Sequence, residues 1–322
     1  MSARTMPIFL MAGWREAVRA REPYIDLDHL LIGLIAAGGP AAQTLAQYGL
    51  TLNSARTAAS AVHAEALAFL GVDVHALASS PPLTIDELNR DDARMPMAER
   101  ADRLVDSLGS RATERDLLKA LLAERSGTIR GLIERSDADL EAISKEVGDH
   151  GGWTTPIPRR NRVVEAQAET RTAAVELTHF IPADPQLVRS VAADPTCAPH
   201  CLMFPDTMRP DAGRTLTMTV SKRGRTSTLS LVLAEDEEGH VRWDDRWDDQ
   251  PFGWYDLRFA PVSGGTQLTL ARAVRPIGIF DAVLTPLIRL NNGLGLLLRA
   301  QNLSLACAEV DDQKPHSDLP PW

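Results

Sequence analysis

Residues 254–274 read WYDLRFAPVSGGTQLTLARAV. Two runs of alternating apolar and polar residues flank Ser263-Gly264-Gly265. Side chains of a strand point to opposite faces with period two and glycines supply a turn, so the stretch predicts a β-hairpin. Parity puts Tyr255, Leu257 and Phe259 on one face and Trp254, Asp256 and Arg258 on the other. Working outward, strands are expected over 173–181, 214–221, 226–235, 240–247, 254–260 and 266–274, with turns at Lys222-Arg223-Gly224 and Glu237-Glu238-Gly239. This is the grammar of an antiparallel meander. Leu216, Met218, Val220, Leu229, Leu231, Leu233, Leu268 and Leu270 supply matching apolar faces. From Ile279 to about Glu309 the period returns to 3.6, which predicts one long helix despite Pro286, Gly293 and Gly295. Its expected inward stripe is Phe280, Leu284, Leu287, Leu294 and Leu298.

Upstream the pattern differs. From Gly13 to about Val147 apolar residues recur at helical spacing with few β-branched runs, an all-α half. Gly148 to Arg162, GDHGGWTTPIPRRNR, loses that periodicity and reads as the start of a linker. The expected organisation is a helical domain over 1–147, a linker over 148–172, an α+β domain over 173–310 and a loose tail over 311–322.

Composition narrows the function classes. With 44% hydrophobic and 24% charged residues the chain is globular. The net charge of −9 divides as −6 over residues 1–150 and −3 over the rest, so neither half offers phosphates a basic surface and no nucleic-acid partner is expected. Three cysteines make no disulfide framework, which favours a reducing, cytoplasmic setting. Met1 to Leu10 lacks the apolar core of a signal peptide, and no run of 18 apolar residues predicts a membrane span.

The helical half repeats itself. A shift of 87 residues lays His29-Leu30-Leu31-Ile32-Gly33-Leu34-Ile35-Ala36 over Asp116-Leu117-Leu118-Lys119-Ala120-Leu121-Leu122-Ala123, with Leu45 on Leu132, Val18 on Val105 and Ala55 on Ala142. Each copy predicts a helix with a broad leucine stripe, opened by Asp26 or Thr113 as N-cap. DLDHLLIGLIAAGGPAAQTLAQYGL (26–50) and ERDLLKALLAERSGTIRGLIERSDADLEAI (114–143) resemble the two copies of the Clp ATPase N-terminal domain. The resemblance covers about residues 8 to 147, with Asp116 where a second His would stand. No G-x-x-x-x-G-K-[ST] occurs, so the ATPase motor is missing and no nucleotide cofactor is expected. What the resemblance implies is a docking module for a protein or peptide, such as Clp components or peptide antibiotics.

The second half resembles the START-like (SRPBCC) helix-grip superfamily, which includes polyketide cyclases and lipid carriers. VELTHFIPADPQLVRSVAAD (175–194) is similar to its opening strand and helix, and residues 254–274 to its paired strands joined at Gly-Gly-Thr. The implied architecture is a sheet wrapped around the C-terminal helix, with an apolar small molecule between them. Trp243, Trp247, Tyr255, Leu257, Phe259, Phe280, Leu287, Leu294 and Leu298 are the expected ligand-binding residues. Trp243, Asp245 and Trp247 share one strand face, which suits a pocket mouth or a partner contact.

Candidate chemistry is sparse. Cys197-Ala-Pro-His200-Cys201 is the one metal-like cluster, but zinc needs a fourth ligand and Cys307 lies far off in sequence, so no metal is expected. Trp243-Asp244-Asp245-Arg246-Trp247-Asp248-Asp249 gathers four carboxylates without the glycine and spacing of a calcium loop, and acids at a hairpin end are normally solvated. His179, His200 and His240 suit proton transfer, yet none has an evident partner in sequence, and no catalytic residue is assigned. The leading expectation is a non-enzymatic two-domain binding protein. The alternatives are a START-like cyclase or dehydratase recruited through the helical half, and an adaptor or a peptide- or antibiotic-sequestering decoy of Clp proteolysis.

Overall fold

The computed structural model describes residues 6–69, 97–109, 112–148, 159–163, 172–201, 208–211, 213–222, 225–274 and 281–313. The chain divides into two compact units, Met1–Thr155 and Pro156–Trp322.

Unit 1 is helical over its described residues. α1 (Met6–Arg19), α2 (Leu27–Ala36), α3 (Pro40–Gln47) and α4 (Leu52–Phe69) are followed by α5 (Glu99–Leu108), α6 (Glu114–Leu122), α7 (Thr128–Arg135) and α8 (Leu140–Gly148). The 87-residue shift read in the sequence carries Asp26 onto Thr113, and both residues are N-caps with a full capping box. Thr113 exchanges hydrogen bonds with Asp116, while at the first site the Asp26 N–H donates to Nδ1 of His29 at 3.0 Å. Every residue of α2 is buried, whereas α6 buries Leu117, Leu118 and Leu121. α2 therefore lies at the centre of the unit.

Unit 2 is an eight-stranded antiparallel sheet with one long helix against it. Its strands are β1 (Arg159–Val163), β2 (Thr172–Ile181), β3 (Arg209–Pro210), β4 (Thr215–Lys222), β5 (Arg225–Glu237), β6 (His240–Trp247), β7 (Gln250–Val262) and β8 (Gly265–Val274), in the spatial order β1-β2-β8-β7-β6-β5-β4-β3. Two short helices, α9 (Pro185–Ala193) and α10 (Ala198–Cys201), follow β2, and α11 (Asp281–Gln313) closes the chain against β2 and β8. Asp184 caps α9 by accepting from the Gln186 N–H at 2.8 Å, with Pro185 at the first helical position, where its missing N–H costs nothing. This antiparallel meander with a C-terminal helix on one face is a helix-grip layout.

The hairpin that opened the reading has the expected parity. Tyr255, Leu257 and Phe259 join the main core, and Trp254 sits on the other face with Ala271 and Ala273. Three details differ from the sequence reading. β1 lies within the stretch read as linker, because RRNRV has no alternation to announce it and it pairs at the sheet edge through its backbone to β2. α11 runs to Gln313, into the stretch read as a loose tail. The inward stripe of α11, where its side chains are described, is Leu296, Ala300, Leu303 and Cys307. Leu298 is only half-buried and stands outside that stripe. Leu296, Leu297 and Leu298 are consecutive, so periodicity alone leaves the phase of this helix undetermined.

Candidate functional site

The inner face of the sheet, on the side where α9 and α11 pack, is apolar along most of its width. Val241, Trp243, Leu231, Leu257, Leu268 and Leu270 are all buried there. Trp243 is fully enclosed and donates its indole N–H to the carbonyl of Ala192 at 2.9 Å, which ties β6 to the end of α9. Along β6 the inward side chains run from Trp243 through Asp245, 2% exposed, to Trp247, 39% exposed, so this row leads from core to solvent.

A polar cluster interrupts that face. Arg272 on β8 pairs with Asp245 on β6, and both are buried. The pair spans β7 at Gly253, which is in register with Asp245. A Cβ on Gly253 would lie 2.4 Å from the Ala273 carbonyl oxygen and 3.1 Å from Arg272 Nη1, so the bare glycine leaves room for the guanidinium. Arg272 also lies over the ring of Tyr255, its guanidinium carbon 4.0 Å from the centroid. From α11, Arg299 approaches the same ring with its guanidinium carbon 5.3 Å from the centroid. Its guanidinium folds back over Gly295, where a Cβ would collide with Nη1 at 2.4 Å.

The electrostatics follow from burial. Desolvation raises the Asp245 carboxyl above its usual range, and the charge of Arg272 offsets part of that rise. Burial likewise pushes the Tyr255 phenol up, so it stays neutral. The ion pair is made through one arm only. Arg272 Nη1 and Asp245 Oδ1 are both buried and have no hydrogen-bond partner among the described residues. Such atoms are costly to leave unpaired inside a protein.

Of the residues singled out from sequence, Trp243, Tyr255, Leu257 and Phe259 come together in one buried cluster, with Trp247 at its solvent end. Leu287 and Leu294 lie on α11 in the part whose side chains are outside the described set, and Phe280 is outside the described residues. Sequence reasoning missed Arg272 and Arg299. Arg272 carried a signal: it shares parity with Leu268 and Leu270, an arginine at an inward position. Asp245 departs from the solvated state expected of hairpin acids, because Arg272 accompanies it into the core.

The remaining candidates are placed as follows. His240 lies between Asp256 (2.8 Å) and Glu235 (3.1 Å). His179 is buried, and the His200 side chain is outside the described set. Cys201 and Cys307 are buried in the same core, half-buried Cys197 packs against it, and all three are free thiols. Burial holds the Cys307 thiol well above its ordinary value. Among the described residues no group of His, Cys, Asp and Glu is arranged to hold a metal ion.

Unit 1 has a cleft of its own, about 530 Å³, between the end of α1, α2 and α4. His63 stands there between Asp28, 2.9 Å from Nε2, and Glu22, 3.3 Å from Nδ1. The bond to Asp28 raises the His63 pKa, while burial lowers that of His29. Nδ1 of His29 accepts the Asp26 N–H, so in the neutral ring the proton is on Nε2. Both nitrogens of His63 face carboxylates, which leaves none to activate Ser60 on the same wall.

No family model matches the chain, and no curated protein matches it. Solved structures do. TTHA0849 from Thermus thermophilus is 17% identical, over 42% of this chain and 98% of its own, with a TM-score of 0.33. A START superfamily protein from Mycobacterium smegmatis is 15% identical, over 42% of this chain and 98% of its own, at 0.31. Protein SA2116 from Staphylococcus aureus, of unknown function, is 14% identical, over 45% and 99%, at 0.35. At such scores the likeness adds nothing to what the strand order and the placement of α11 establish. None of these comparisons supports the Clp resemblance of unit 1. No single helix among the described residues is long and apolar enough to cross a membrane.

Proposed function

We propose that unit 2 holds a small, largely apolar molecule between the inner face of its sheet and α11, and that it does so without catalysing a reaction. The observation that carries this reading is the Asp245–Arg272 pair, set in an apolar face with one donor and one acceptor unfilled. A face meant only as solid core gains nothing from such atoms, because replacing a buried ion pair by well-packed hydrophobic residues is often neutral or stabilising. A ligand site needs them, since a few placed polar groups in an apolar pocket fix orientation. Trp247, at the solvent end of the row, would form the rim. Native mass spectrometry of the purified full chain tests this: a co-purifying apolar molecule, released on unfolding, is the expected result. A bare chain that also fails to take up N-phenyl-1-naphthylamine overturns it.

For unit 1 we propose docking of a protein or peptide, the cleft beside His63 being the observation in favour. A random peptide array should yield ligands whose binding is lost in Ser60→Trp, which fills the cleft from an exposed position. Peptides that bind the variant as well as the wild type would place the docking surface elsewhere.

A further inference from the structure

The cap of α2 and the cleft of unit 1 share one side chain. His29 is 2% exposed and lines the cleft, and its Nδ1 is the acceptor that closes the capping box at the head of α2. Its Nε2 is buried with no hydrogen-bond partner among the described residues. Only the neutral ring fits this setting. A second proton would go on Nδ1 and set donor against donor, 3.0 Å from the Asp26 nitrogen.

The charged groups around His29 do not relieve that conflict. Asp28 Oδ1, on α2 itself, is 3.6 Å from Nδ1, but the other oxygen of that carboxylate is 2.9 Å from Nε2 of His63 on α4. His63 is shared with Glu22, which follows α1, and its ring meets that of His29 edge to face at 6.2 Å, so its charge opposes a second one there. Asp26 is paired with Arg100 of α5, and Glu16 of α1 is held by Arg19 and Arg56. Of the other helices against α2, α3 has no charged residue, Glu114 of α6 lies by the Ala41 N–H, and the charges of α7 pair at the surface as Arg130–Glu134 and Arg135–Glu65. Burial accordingly holds the His29 pKa below its ordinary value. Stability that depends on the neutral ring is present above the unfolded value and is lost as pH falls through the folded one. The second copy has no such group: Asp116 takes the place of His29 in its box, with its carboxyl held below the usual range by the Thr113 N–H.

Resting on the docking reading of unit 1, we propose that its cleft releases the docked peptide in acid. A proton on His29 breaks the cap, and the first turn of α2, which brings Asp28 and His29 to the cleft wall, gives way. The rest of the helix stays in place, because α1 and α2 meet backbone to backbone where a Cβ on Gly33 would lie 2.4 Å from the Gly13 nitrogen.

The test probes the wild-type 322-residue chain and His29→Gln with one random peptide array at pH 7.5 and pH 4.5. Glutamine at the third helical position also closes a capping box, and it gains no proton in this range. Wild-type signals should weaken at least about threefold at the lower pH, while those of His29→Gln change by less than about twofold. In the wild type the amide proton signal of Asp26 should move with the same midpoint as the His29 ring, a readout that needs neither peptide nor variant. Wild-type signals equal at the two pH values, or a release that persists in His29→Gln, overturn the inference and leave the docking reading intact. So does an Asp26 amide signal that stays in place while the ring titrates, and this readout decides alone if the variant folds poorly or binds nothing. No peptide bound by the wild type at pH 7.5 overturns both.

Discussion

Arg272 reaches from β8 over Gly253 of β7 to Asp245 of β6, so one buried ion pair spans three neighbouring strands. Breaking a buried pair from one side leaves a charge without compensation, which typically costs about 3–5 kcal/mol. Arg272→Met should therefore destabilise unit 2 by an amount of that order in urea unfolding followed by tryptophan fluorescence. Arg272→Met combined with Asp245→Leu should recover most of the loss. A double variant no more stable than the single one would show that the pair organises the sheet beyond its own charges.

Glu114 opens α6 and its carboxyl lies 3.5 Å from the Ala41 N–H at the start of α3. Burial pushes its pKa up to about 8 from an ordinary 4.5. A carboxyl raised in this way binds its proton more tightly folded than unfolded, so stability falls as pH rises from about 4.5 to about 8. Glu114→Gln should remove that slope and melt above the wild type at pH 9. Parallel melting curves for the two proteins between pH 5 and pH 9 would contradict the assignment.

His63 works in the opposite sense to a depressed carboxylate. Its bond to Asp28 raises its pKa above the ordinary 6.5, so its contribution is fully present below the unfolded value and is lost as pH rises through the folded one. The ring proton signals of His63 should titrate later than those of a free histidine. Asp28→Asn should bring the midpoint down, and an unmoved midpoint would remove Asp28 as the cause.

The two N-caps give a comparison inside one molecule. Replacing Thr113 or Asp26 by Ala should cost about 0.5–2 kcal/mol each. Asp26 should stand at the upper end, because it also accepts from Arg100 Nε at 2.7 Å and lies at the head of the fully buried α2. Equal losses in urea unfolding would mean that the Arg100 contact contributes nothing.

Much of this layout was legible in the residues, for physical reasons that also mark where legibility stopped. The hairpin at Ser263-Gly264-Gly265 and the parity of Tyr255, Leu257 and Phe259 follow from period-two geometry, and the repeat of Asp26 in Thr113 follows from capping chemistry. β1 was hidden because an edge strand needs only backbone pairing. Arg272 was hidden because an arginine inside a strand reads as solvent-facing until its partner, two strands away, is known. Parity puts Asp245 on one strand face with Trp243 and Trp247 but does not say that this face is buried. An acid on β6 and a base on β8, separated by β7, face the same way, and only the register of the three strands brings them together.

The proposed ligand site on the inner face of unit 2 rests on the Asp245–Arg272 pair. Leu229 offers the most direct test, since it is half-buried, packs against the core cluster and stands opposite Trp247 in register. The measurement is a fluorescence titration of the wild-type 322-residue chain and of Leu229→Trp with N-phenyl-1-naphthylamine. Saturable uptake of one probe per wild-type chain is expected, with at least tenfold weaker uptake in a variant that melts close to the wild type. No saturable uptake by the wild type, with the variant melting well below it as overpacked cores do, would rule out a ligand site and leave this face as solid core.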